Sequence, residues 1–297
     1  MSIDSVYSPS VEPYYRYFID NGYTYFGHGY MHAIFERDGI IYKILRSSFG
    51  LDLNKSRFQF ESDMLQLVAN VGVPVASVVH IYGPGELVPN YCVLAEKRIY
   101  GNNYSVEDLT TNHVSAMMSV FKLAHNIKLN FFGPISDTKL QVDTWQEYLE
   151  HLVMKAREVQ KLFEIDIDID SAIKYFANKY RYTDNARFLI LDPNEKNYIF
   201  NANDKLAGVI DIDHPIAFDP LYDAASFLYA RPKIFNMMRQ IGAVNDNDME
   251  TIKNYAIIYM LYDLWFRYEK NNYQINKRVE YYINKAKMFS ESIKEIL

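Results

Sequence analysis

Three oxygen-bearing side chains at fixed spacing constrain this chain more than any other feature. Asp192 closes the apolar run Phe188–Leu191, Asn197 follows five residues later, and Asp211 closes the run Leu206–Ile210, 19 residues after Asp192. Tyr198–Phe200 and Leu206–Ile210 flank the turn-forming Asn201–Asn203, which reads as a small hairpin. Such a hairpin folds the chain back, so the spacing predicts that the three side chains converge at one end of a buried sheet. Asn197 and Asp211 offer the amide and carboxylate oxygens that suit a hard cation such as Mg²⁺. Asp192 is left free to orient or deprotonate an attacking hydroxyl.

The chain around this stretch has the material for a large folded body. It has 297 residues, 49% of them hydrophobic, enough for two lobes and a sizeable core and too apolar for a disordered chain. The formal net charge is −6, which argues against a nucleic-acid partner, since such a partner needs a basic surface. There is one cysteine, Cys92, so neither an intrachain disulfide nor a zinc cluster is expected, and a reducing, cytoplasmic setting follows. No apolar stretch reaches the ~18 residues of a membrane span, and the N-terminus lacks a basic-then-apolar leader.

In chain order, residues 11–21 read as a short helix, and 23–46 as three strands separated by a glycine turn and an Asp38-Gly39 hairpin turn. Gly27 and Gly29 sit in the first turn, where glycines let backbone N–H groups approach an anion. Lys43 lies within the third strand, flanked by apolar residues. The helix expected over 54–71 places Phe58, Glu61, Leu65 and Val68 on one face. An inward Glu on that helix and an inward Lys on the strand before it need each other, because a lone buried charge is costly. Residues 72–83 and 91–97 supply further strands. Helices are expected over 106–126, near 143–163 and 169–180, over 222–229, and over 248–269 and 275–295. The acidic EIDIDID at 164–170 reads as a solvated linker. His125 reads as a helix-end residue facing the dipole, and the aromatic stripe from Tyr255 to Tyr268 reads as core.

The order Asp, Asn five positions on, then Asp beyond a hairpin is also that of phosphoryl-transfer sites. Taken with Val209-Ile210-Asp211, Asp219-Pro220, Tyr222-Asp223, His125, Phe132-Gly133-Pro134 and the WQEYL at 145–149, it resembles the aminoglycoside phosphotransferase family, nearest to the hygromycin B phosphotransferases. The resemblance spans roughly residues 20–270. It implies an α+β, bilobal, protein-kinase-like fold: a small antiparallel-sheet lobe over 1–97, a mostly helical lobe over 98–297, and nucleotide between them. It also implies an ATP- or GTP-dependent small-molecule kinase using Mg²⁺. In that scheme Asp192 is the catalytic base, Asn197 and Asp211 hold the metal, and Asp213 is a possible second acid. Lys43 grips phosphate with Glu61 behind it, and Gly27 and Gly29 approach the phosphates. Glu96 opens the hinge, 96–101, whose backbone meets the base.

The implied acceptor is a hydroxyl of a small molecule, an aminoglycoside before others, with Asp143, Glu147, Asp213, Asp263 and Glu269 as acids available to its ammonium groups. A sugar or amino-alcohol metabolite is the alternative, and a degenerate nucleotide-binding module the next. A protein kinase is disfavoured, because seven residues between Asp211 and Asp219 leave no activation segment. Monomer and dimer are both open. One departure stands out: Ile190-Leu191 precede Asp192 where the family has His-Gly.

Overall fold

Asp38 and Gly39, with φ of 53° and 74°, turn the chain between the two longest strands of a five-stranded antiparallel sheet. Both residues sit in the left-handed region that a two-residue hairpin requires. The computed structural model describes residues 12–29, 31–45, 55–212 and 214–296. Within these the chain divides into two compact units, Met1–Asn103 with Asn197–Asp213, and Tyr104–Lys196 with His214–Leu297.

In the first unit, α1 (Pro13–Asp20) begins with Pro at its first turn, where the missing N–H is no loss. Strands β1 (Thr24–His28), β2 (His32–Arg37), β3 (Ile40–Leu45), β4 (Val78–Tyr82) and β5 (Val93–Lys97) form the sheet in the order β1-β2-β3-β5-β4. Helix α2 (Lys55–Ala69) buries Phe58, Glu61, Met64, Leu65 and Val68, the face that its periodicity predicts. An aromatic core of Tyr14, Phe18 and Phe35 lies under α1, with the Phe18 and Phe35 rings stacked at 4.2 Å between centroids.

The hairpin of β9 (Tyr198–Phe200) and β10 (Leu206–Val209) belongs to this first unit. Backbone bonds hold it there: Phe200 and Asn102 exchange N–H···O=C bonds of 2.8 Å each, and the Val209 N–H donates to the Pro74 carbonyl at 2.8 Å. A Cβ on Gly101 would run into the Phe200 carbonyl, so only glycine permits that approach.

The second unit is mostly helical. Its elements are α3 (Thr111–Ala124), α4 (Trp145–Leu162), α5 (Ile169–Asn178), α6 (Leu221–Ala230), α7 (Pro232–Gln240), α8 (Met249–Lys270) and α9 (Lys277–Ile296). Helix α8 is the hub, packing against α4, α5, α6 and α9. Four short strands, β6 (Lys128–Leu129), β7 (Gly133–Pro134), β8 (Ala186–Leu189) and β11 (Ile216–Phe218), pair in the order β6-β8-β11-β7. Among the described residues no helix is long and apolar enough to cross a membrane.

Three expectations change. The helix expected from 106 starts at Thr111, because the Thr110 side chain accepts from the His113 N–H and the His113 ring accepts from the Thr110 N–H. In the 164–170 linker, Ile165, Ile167 and Ile169 are buried while the acids between them are exposed. The linker is therefore anchored, not freely solvated, and Asp168 caps α5 through the Ser171 N–H. Finally, the run before Asp192 is β8 of the second unit, whereas β9 and β10 form a separate two-stranded sheet in the first. The three site residues do not end one common sheet.

Candidate functional site

Lys43 sits on β3, two residues beyond Ile41 and on the same face. Glu96 on β5 pairs with Ile41, so it lies diagonally across the ladder from Lys43. Glu61 comes from the buried face of α2. The three side chains meet: Lys43 Nζ is 2.7 Å from Glu61 Oε1 and 3.0 Å from Glu96 Oε2, and both carboxylate side chains are 3% exposed. Burial alone would depress the Lys43 ammonium, but Glu61, Glu96 and Asp211 together hold it above the ordinary lysine range. Glu61 takes the shorter contact. Burial pushes its carboxyl up, yet the Lys43 charge and hydrogen bond outweigh this and hold it below the ordinary range. Glu96 goes the other way: burial raises its carboxyl more than Lys43 lowers it, and Glu61 adds to the rise.

Asn197 ends a single 3₁₀ turn over Glu195–Asn197 and leads into β9. Its carbonyl accepts the Ile210 N–H at 3.0 Å, so the open end of the hairpin sets Asn197 beside the residue that precedes Asp211. Asp211 lies past the end of β10 with φ of 67°, a left-handed step that re-aims the side chain off the strand. Burial raises its carboxyl, Lys43 pulls it down, and Glu61 raises it again. Lys43, Glu61, Glu96 and Asp211 thus form one charge cluster centred on the Lys43 ammonium, with Arg57 also acting on Glu61 and Asp211.

Gly27 and His28 lie within β1 at a register shift, not in a free turn, and Gly29 donates its N–H to the His32 carbonyl at 2.9 Å. Asp213 lies outside the described residues.

Asp192 belongs to the second unit. The residue before it, Leu191, has φ of 53°, which costs a non-glycine residue ~1–2 kcal/mol. This is the position where the resemblance expects glycine. Leu191 is held there through its N–H, which donates to Asp223 Oδ1 at 2.9 Å, while Asp223 Oδ2 lies 2.8 Å from His125 Nε2. His125 is therefore tied to the 190–194 loop through Asp223, not to the helix dipole alone. Ile190 is buried. Asp192 Oδ1 accepts the Asn194 N–H at 3.0 Å, closing a tight turn. The same loop is pinned by Glu195, buried, which accepts from Arg231 Nε at 2.6 Å. Asp219 is also buried and accepts from the hydroxyls of Tyr180 (2.6 Å) and Tyr255 (2.7 Å) and from the Leu221 N–H (3.0 Å).

Sequence reasoning missed the side-chain role of Glu96, the anchoring by Asp223 and the Glu195–Arg231 pair. The Asp-Pro and Tyr-Asp steps carried some signal for Asp219 and Asp223; a lone Glu-Lys at a strand end carried none. Two of the acids expected to face an acceptor are otherwise occupied. Glu147 completes a capping box with Thr144, and Asp263 pairs with Arg267 at 3.1 Å.

No family model matches the sequence, and no curated protein matches it. Solved structures do. The ternary complex of a thermostable aminoglycoside phosphotransferase APH(4)-Ia mutant with ADP and hygromycin B aligns over 95% of this chain and 98% of its own, at TM-score 0.63 and 15% identity. The chain has the fold of the aminoglycoside phosphotransferases. The GDP complex of aminoglycoside 2'-phosphotransferase-IIIa aligns over 91% of this chain and 93% of its own, at TM-score 0.60 and 14% identity. The GDP and kanamycin complex of APH(2")-IIIa gives 92%, 93%, TM-score 0.57 and 15%. The aminoglycoside phosphotransferase fold thus runs through nearly the whole chain, in the α+β, bilobal, protein-kinase-like form.

Proposed function

We propose that this protein is a nucleotide-dependent phosphotransferase. It moves the γ-phosphate of ATP or GTP to a hydroxyl of a small molecule, with an aminoglycoside-type antibiotic as the leading acceptor. The observation that carries the reading is the buried Lys43–Glu61 pair, assembled in one unit with Asn197 and Asp211. Support comes from the fold neighbours, whose structures hold ADP, AMP-PNP or GDP and, in several, hygromycin B or kanamycin.

In this reading the first unit holds the nucleotide and the second supplies Asp192 and the acceptor site. Lys43 grips phosphate oxygens with Glu61 fixing its position, and the backbone near Gly27 and Gly29 borders the phosphates. Asp192 accepts a hydrogen bond from the acceptor hydroxyl and orients it. As the hydroxyl oxygen bonds to the γ-phosphorus, the bridging bond to the β-phosphate breaks and the nucleoside diphosphate leaves. The hydroxyl proton passes to Asp192. Catalysis is positioning plus neutralisation of charge.

The residues fit a magnesium ion. No group of three His, Cys, Asp or Glu among the described residues could hold a metal by itself, but Mg²⁺ on a nucleotide takes only one or two protein oxygens and keeps water and phosphate for the rest. Asn197 and Asp211 would provide those two, beside a cluster already rich in negative charge. When bound, the ion neutralises the developing charge on the phosphates.

One observation favours a second acceptor class. Glu147 and Asp263 are already engaged, which leaves fewer free acids for a polycation and favours a sugar or amino-alcohol metabolite. The single described cysteine, Cys92, is buried, in keeping with a cytoplasmic setting. Phosphate transfer from labelled ATP and GTP, screened across aminoglycosides, sugars and amino alcohols, tests the reading. Asp192→Asn should lower transfer to the accepted substrate by ~10²–10⁴-fold and leave ADP affinity unchanged. Full activity in that variant would remove Asp192 as the base.

A further inference from the structure

Lys43 carries one carboxylate more than the proposed reaction needs. A lysine has three N–H donors. Glu61 takes one at 2.7 Å and Glu96 a second at 3.0 Å. Glu96 is 2% exposed, and its other carboxylate oxygen, Oε1, is buried with no hydrogen-bond partner among the described residues. Leaving a buried carboxylate oxygen unpaired is costly, and Asp211 is a third acid whose charge acts on the same ammonium. Nothing in packing demands a Glu at this place. The other buried β5 side chains are Val93, Leu94 and Ala95, and an apolar residue would complete the strand.

We propose that Glu96 is a positioning residue that restrains Lys43: it holds the ammonium by a second N–H and offsets its charge, so that the protein disfavours a bare polyphosphate anion. The inference rests on the nucleotide-binding reading and deepens it. Glu61 alone would fix Lys43 and leave its third-party attraction for phosphate strong. With Glu96 added, an incoming phosphate meets a lysine already flanked by two carboxylates, one with an unpaired oxygen. Binding then depends on a nucleotide whose own charge is compensated. Glu96 acts through Lys43 and needs no contact with the reacting atoms.

The test is calorimetry of ADP binding to the full chain in EDTA and again with excess magnesium. Wild type, Glu96→Gln and Glu96→Asp are compared, with a thermal melt of each. In EDTA, Glu96→Gln should bind ADP about tenfold more tightly than wild type, the order that removing one partly screened charge at a few ångströms gives. Glu96→Asp keeps the charge and should show no such gain. Glu96→Leu, which needs no hydrogen-bond partner, gives the same gain should the Gln amide disturb folding. A merely structural Glu96 would shift the melting temperature without tightening ADP. Unchanged or weaker ADP affinity in folded Glu96→Gln and Glu96→Leu overturns the proposal. No ADP binding by any of the proteins in either buffer overturns the nucleotide reading itself, which separates the two failures.

Discussion

The two units bury carboxylates in opposite ways. In the first, Glu61 and Glu96 close on a lysine, with Asp211 near enough to feel it, and one oxygen of Glu96 has no hydrogen-bond partner among the described residues. In the second, Asp219 and Asp223 are just as buried but face no lysine or arginine in these bonds: they are wrapped by tyrosine hydroxyls, backbone N–H groups and the His125 ring. The difference separates two uses of a buried acid. A carboxylate saturated by hydrogen bonds fixes local geometry and has nothing left for a ligand. A carboxylate clustered with others around one ammonium leaves a net charge that a charged ligand can compensate. The first arrangement belongs to the frame of the 190–194 loop, the second to the proposed nucleotide site.

This contrast can be broken from the cationic side. Lys43→Met removes the ammonium that both Glu61 and Glu96 contact and should cost about 3–5 kcal/mol in urea unfolding. A loss below about 1 kcal/mol would mean that the cluster takes up protons or opens to water, and the contrast between the units would fall. The counterpart in the second unit is Asp223→Ala, which strips the acceptor from the Leu191 N–H and from His125. Its expected cost is smaller, about 1–3 kcal/mol. Because Leu191 is no longer held in its left-handed conformation, phosphate transfer should fall while ADP affinity is kept. Weakened ADP binding in this variant would tie Asp223 to the nucleotide and blur the division.

The smallest effect sharpens the comparison through pH. Burial raises the Asp219 carboxyl above its ordinary range, with the Tyr180 bond, the Leu221 N–H and the Tyr255 bond pulling it back. A folded value above the unfolded one means the native state holds its proton longer. This contribution to stability is therefore full below the ordinary aspartate range and lost as pH rises through the folded value. Asp219→Asn cannot ionise, so its melting temperature should fall less than that of wild type over the same rise in pH. Parallel curves would show that Asp219 titrates as an ordinary carboxyl.

Much of the first unit was legible in the sequence. The strand order up to Leu45, the Asp38-Gly39 turn and the buried face of α2 follow from short-range periodicity, which the packing left intact. The Lys43–Glu61 pair was legible for a different reason: two inward charges on neighbouring elements have few other ways to be satisfied. Glu96 was not, because whether a strand-end side chain points into the core depends on the register of β5 against β3. The 106–110 segment was misread because the Thr110 cap overrides a helical pattern that continues upstream of it. His125 was placed correctly at a helix end, but its partner lies 98 residues away in sequence.

The sequence by itself determined which residues are chemically equipped: an Asp, an Asn and a second Asp in a fixed order, a strand lysine and a helix glutamate. Spacing along a chain is a local quantity, and local quantities survive folding. Only the tertiary structure decided that Asn197 and Asp211 join the first unit while Asp192, five residues earlier, belongs to the second. Backbone hydrogen bonds from the β9–β10 hairpin to Asn102 and Pro74 make that choice. It was also the tertiary structure that seated a leucine where glycine is expected and secured it with Asp223. Both outcomes rest on pairings between distant segments. No local pattern carries them, because the energy of each comes from a partner that the chain reaches only when folded.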